Sequence, residues 1–135
     1  MQDIKIHTIR GKQVMLDSVL AELYEVEVKY LKRQVRRNRK RFPENFCFQL
    51  TEKEFEDWRC QNVTSNSVKM GLRYSPYAFT EQGVSMLSAV LKSEKAIETS
   101  IKIMNAFISM KRFLNENAEV FSRLDKRALQ ILERV

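Results

Sequence analysis

The chain has 135 residues, 44% of them hydrophobic and 30% charged, with a formal net charge of +7. That balance suits one domain with its own core and excludes a disordered chain. No apolar run reaches the length of about 18 residues that a membrane helix needs, and the amino terminus lacks the charged head and apolar block of a secretory signal.

Cys47, Cys60 and the single His7 supply neither a disulfide framework nor a metal knuckle. Three glycines cannot build a phosphate loop, and one histidine supports no obvious catalytic set. A cytoplasmic, non-catalytic protein without cofactor or metal is therefore expected.

In chain order, Ile4, Ile6 and Ile9 bracket a β-like run broken at Arg10-Gly11-Lys12 and resumed at Val14-Met15-Leu16, which predicts a hairpin over residues 4–16. His7 is expected to face solvent on its edge strand. Asp17 stands where a helix cap belongs, and Leu20, Leu23 and Tyr24 give the following helix, Ser18 to Tyr24, a buried stripe. A corner near Glu25 leads to a second helix, Glu27 to Arg41, in the layout of a helix-turn-helix. Such corners usually carry Gly because the backbone turns left-handed there, so Glu25 should cost about 1–2 kcal/mol.

The second helix holds the charge. Eight Lys or Arg and no acid lie between Val28 and Pro43; removing those eight from the 24 basic residues leaves 16 against 17 acidic ones. Val28, Leu31, Val35 and Phe42 form the inward arc, with Lys29, Arg33, Arg36, Arg37 and Lys40 opposite. The rows Lys29–Arg33–Arg37–Arg41 and Lys32–Arg36–Lys40 place like charges at i and i+4, an arrangement that costs helix stability and that phosphates would relieve. Exposed positions near the helix start, Lys29, Tyr30 and Arg33, are candidates for base contacts; Lys32, Arg36, Arg37, Lys40 and Arg41 are candidates for phosphate contacts.

Pro43 ends the helix, and Phe46 to Leu50 alternates as a strand. Thr51 and Glu54 spell a capping box for a short helix whose Phe55 and Trp58 face the core. Residues 61–73 read as a loop or wing, from which Lys69 and Arg73 could also reach phosphate; an ordinary loop fits equally. Tyr74 to Phe79 returns as a strand beside Phe46–Leu50, and Thr80 caps a helix with Val84, Met86, Leu87, Val90 and Leu91 in the core.

The last third lacks Pro and Gly and reads as helical throughout. One stripe, Ile97, Ile101, Met104 and Ile108, is expected to pack on the domain. A second runs from Ile103 through Phe107, Met110, Leu114, Asn117, Phe121, Leu124, Ala128 and Ile131 to Val135 with coiled-coil spacing. It predicts a homodimer seam of Phe107, Met110, Leu114, Phe121, Leu124 and Ile131. A break at Asn115 and Asn117 with a fold-back of the final helix is the alternative.

The blocks Ile9-Arg10-Gly11-Lys12-Gln13-Val14, Leu16 to Tyr24, Val35-Arg36-Arg37-Asn38, Arg41 to Phe46, Pro76-Tyr77-Ala78-Phe79-Thr80-Glu81-Gln82-Gly83-Val84 and Leu91 to Ile97 together resemble the KilA-N family of phage and bacterial DNA-binding domains, in the branch typified by the amino-terminal domain of phage antirepressor-like proteins. The Tyr-Ala-Phe-Thr-Glu-Gln-Gly block is the most specific of them; Glu25 departs from the pattern. The resemblance implies DNA binding in a phage or prophage regulatory setting.

The expected fold is α+β: a helix-turn-helix with a small antiparallel sheet over residues 1–92, then a helical extension over 93–135. The expected function is sequence-specific binding of double-stranded DNA as a transcriptional regulator. The alternative is an antirepressor-type module whose carboxy-terminal helices capture another regulatory protein. RNA is a weaker third partner, for want of a ribonucleoprotein aromatic motif.

Overall fold

Two residues turn the first hairpin. In the computed structural model, which describes residues 4–62 and 75–118, strands β1 (His7–Ile9) and β2 (Lys12–Leu16) pair antiparallel through Ile9↔Lys12 and His7↔Val14. Arg10 and Gly11 both take positive φ, 55° and 71°, which matches the turn to the right-handed twist of the strands. Arg10 is held in this costly conformation by its side chain. Its Nε and Nη2 donate to the two carboxylate oxygens of Glu54 at 2.7 and 2.9 Å, and its guanidinium lies 4.2 Å above the Phe48 ring.

Helix α1 (Asp17–Tyr24) follows without a break. Its end closes as expected: Glu25 sits at φ 58°, its N–H donates to the Glu22 carbonyl, and the Val26 N–H reaches back to Ala21. After the three-residue corner comes α2 (Val28–Arg37). Leu31 and Val35 are buried and Val28 half-buried. The helix stops earlier than its sequence suggests. Asn38 turns its side chain back onto the Gln34 carbonyl at 2.9 Å, and Arg39–Arg41 form a single 3-10 turn that delivers Phe42 to the core, edge-on to Phe79.

The remaining elements are β3 (Cys47–Gln49), α3 (Glu52–Asn62), β4 (Tyr77–Phe79), α4 (Glu81–Leu91) and α5 (Glu94–Glu116). The four strands form one antiparallel sheet in the order β1-β2-β4-β3. β4 pairs with β3 as expected and, in addition, with β2, through Met15↔Phe79 and Leu16↔Ala78.

Strand alternation splits the apolar residues between two faces. Met15 and Phe79 join Leu20, Leu31, Val35, Val84, Leu87, Ile103 and Phe107 on the helix-covered face. Val14, Leu16, Phe48 and Ala78 join Leu50 and Phe55 beneath α3. The capping box is made: the Thr51 N–H donates to Glu54 and the Glu54 N–H to the Thr51 hydroxyl. His7 corrects the sequence reading, since it is half-buried with its ring edge-on to Trp58 at 5.8 Å.

The Tyr77–Gly83 block has a structural explanation. β4 is central in its part of the sheet, and the Thr80 hydroxyl caps α4 by accepting from Gly83 N–H while donating to the Asn45 carbonyl. A Cβ on Gly83 would overlap the Phe46 carbonyl, so no side chain fits there. Helix α5 is integral to the core and no separate appendage in its first half: Ala96, Ile103 and Phe107 are buried, and the Ser100 and Tyr24 hydroxyls lie 2.7 Å apart. Lys92 and Ser93 separate α4 from α5.

Candidate nucleic-acid interface

The corner at Glu25 fixes how α2 is shown to solvent. With Leu31 and Val35 anchored beneath it, the opposite face carries Lys29, Arg33, Arg36 and Arg37, all exposed, with Tyr30 41% exposed beside them. The 3-10 turn adds Arg39, Lys40 and Arg41, also exposed. Among the described residues none of these seven cations lies within ion-pair distance of an acid, although six other ion pairs are formed. No acidic residue lies in the first turn of α2 to offset the charge.

Lys32, the other candidate for a phosphate contact on α2, is the exception, being ion-paired within the chain. Its Nζ lies 3.4 Å from Oδ2 of Asp17 and 5.4 Å from the Tyr77 ring centre, with only 19% of its side chain accessible. Asp17 is likewise not the helix cap its position suggested. It is buried, and its Oδ2 accepts the Tyr77 N–H at 2.9 Å, so one carboxylate ties α1 to β4 and α2. Burial pushes the Asp17 carboxyl above its usual range, opposed by the Tyr77 amide and Lys32.

Between the end of α2 and the sheet lies a cleft of about 360 Å³ lined by Arg36, Arg39, Phe42, Cys47, Gln49 and Tyr77 among others. Arg39, which a continuous helix would leave on a flank, reaches this cleft because the 3-10 turn changes the angular step. Burial, and to a lesser degree Asp17, push the Cys47 thiol up to about 12, so it stays protonated at neutral pH.

Of the remaining residues singled out from sequence, Lys69 and Arg73 lie outside the described residues, as do Phe121, Leu124 and Ile131. Phe107 is buried in the domain's own core and is therefore not free to serve a dimer seam, and Met110 and Leu114 are half-buried. The first stripe packs on the domain only through half-buried Met104. Ile103 and Phe107 pack inward, while Ile97, Ile101 and Ile108 face solvent.

The ORF6N domain family model matches residues 4–90, which spans both β-hairpin strands, the α1–α2 pair, the sheet and nearly all of α4. The chain belongs to the ORF6N domain family. This is a phage-associated domain family, and the family matched is ORF6N, where the sequence blocks had suggested KilA-N. No curated protein and no solved structure gives a significant match. Among the described residues no helix is long and apolar enough to cross a membrane.

Proposed function

We propose that this ORF6N protein binds double-stranded DNA through α2 and the 3-10 turn behind it, as a phage- or prophage-derived transcriptional regulator. The observation that carries the reading is the row of seven exposed cations on α2 and its 3-10 turn, none of them ion-paired among the described residues, in a chain otherwise near charge balance. An ordinary solvated face mixes signs, because like charges at i and i+4 repel. A polyanion laid along this face removes that repulsion and releases its own counterions.

α1, the three-residue corner and α2 act as a helix-turn-helix, with α2 as the helix that enters the major groove. Lys29, Tyr30 and Arg33 near its start reach base edges. Arg36, Arg37, Lys40 and Arg41, joined by Arg39, hold phosphates and set register. The motif likeness to the KilA-N family supports the same reading.

If about six phosphates are neutralised, log K falls against log salt with a slope of about −5. Fluorescence anisotropy on a labelled duplex between low and moderate salt measures it. A Kd that barely moves over that range removes the reading. Arg33→Ala relaxes specificity, whereas Arg37→Ala weakens all sequences alike.

The alternative, a module that captures another regulator, is favoured by the solvent-facing isoleucines of α5. A mobility shift on arbitrary duplex separates the two, since that module shifts no DNA.

A further inference from the structure

The exposed face of α5 repeats with a spacing that its buried face does not need. Glu94, Ile97, Ile101, Met104, Ile108 and Lys111 follow at intervals of three, four, three, four and three residues. That is the spacing of a helix–helix seam, and it runs about 26 Å along the axis. Ile97, Ile101 and Ile108 are 50%, 57% and 47% exposed, and Met104 is half-buried at the edge of the shallow groove between α4 and α5.

Three isoleucines in line on one solvent face, in a helix whose other side already serves the core, are apolar surface with a function beyond folding. We propose that this face is the self-association surface of the protein, and that two copies pair through α5 in antiparallel fashion.

The order of residues specifies both the occupant and the direction. Laid against its own reverse, the seam matches layer by layer. Ile97 meets Ile108 of a second copy, Ile101 meets Met104, and Glu94 meets Lys111 at each end. On the flank, Glu98 and Arg112 are both exposed and approach each other across the same axis. A parallel pair would set Glu94 against Glu94 and Lys111 against Lys111. Such like-charge layers oppose association, and the helix dipoles would add to the repulsion. The surface is thus self-complementary under a two-fold operation, as an isologous interface requires. Lys111 presently bridges to Glu81 but remains 61% accessible, so it is free to exchange partners.

Sedimentation equilibrium or light scattering on the full chain, with and without substitutions on this solvent-facing row, tests the proposal. A dimer is expected. Ile101→Asp, at a site too exposed to threaten folding, should raise its Kd by about 100-fold or more. Glu94→Lys and Lys111→Glu should each weaken it, and the double variant should restore it, because only antiparallel pairing brings those positions together. A monomer at all concentrations overturns the proposal, the stripe then belonging to another occupant such as the chain's own residues 119–135. A dimer indifferent to Ile101→Asp, or a double variant no better than the singles, overturns it equally.

Discussion

Asp17→Ala is the substitution that best probes how the basic helix is braced. The wild-type carboxylate is 3% accessible and holds the Tyr77 N–H at 2.9 Å and the Lys32 ammonium at 3.4 Å. Removing it leaves a strand amide without its acceptor, worth about 1–3 kcal/mol. Breaking a buried ion pair from one side costs about 3–5 kcal/mol. Lys32 keeps some access to water, and the ionised carboxylate is itself held at a desolvation cost, so the net loss falls to about 2–3 kcal/mol. With a urea m-value of about 2 kcal/mol/M, the unfolding midpoint should drop by about 1–1.5 M.

The single Trp58, stacked near Phe55 and edge-on to His7, reports the transition by fluorescence. Lys32→Met should also destabilise at pH 7. Its deficit should shrink as pH falls through the raised Asp17 pKa, because protonation removes the now unpaired charge. A midpoint shift for Asp17→Ala below about 0.3 M would refute the bracing role.

Glu54, held down to about 2 mainly by Arg10, has a folded pKa below its ordinary value of 4.5. Its stabilisation is therefore complete above pH 4.5 and lost as pH falls toward 2. Discounted for solvent access it is worth about 1 kcal/mol. The stability gap between wild type and Glu54→Gln, measured by urea titration at stepped pH, should close over that interval; a gap that widens on acidification contradicts the pairing. Glu25→Gly should raise stability by about 0.5–1 kcal/mol by relieving the left-handed residue, and an unchanged or lower melting midpoint would count against that strain. Gly83→Ala should cost about 2–3 kcal/mol, since the new Cβ must push α4 off the Phe46 carbonyl; near-neutral thermal unfolding would show that the contact yields easily.

Local chemistry was the legible part of this chain. The Thr51–Glu54 capping box, the strained Glu25 corner, the Thr80 cap and the pairing of β3 with β4 are each written in residues a few positions apart or in alternation. What sequence did not disclose depends on long-range geometry. Lys32 looks like any other member of the cationic row until the fold brings Asp17 beneath it from the other helix.

The two stripes of α5 lie roughly 120° apart at 100° per residue, and both are apolar, so periodicity alone cannot choose the inward one. Packing against α4 and the Tyr24–Ser100 contact choose Ile103 and Phe107. The early stop of α2 turns on one side-chain hydrogen bond, Asn38 to Gln34, which competes with the helix only in context. Asn117 repeats that device on Phe113 at the end of α5, in keeping with the break at Asn117 that stood as the alternative to a continuous seam.

The salt dependence of DNA affinity, compared across two variants, bears most directly on the central claim that a cationic face is presented outward on α2. Replacing Arg36, Arg37, Lys40 and Arg41 together by Ala should cut the slope of log K against log salt from about −5 to about −2. Lys32→Met, which removes a cation already neutralised by Asp17, should leave that slope unchanged. Equal slopes for wild type and the fourfold variant, or a loss for Lys32→Met as large as for any exposed arginine, would contradict it.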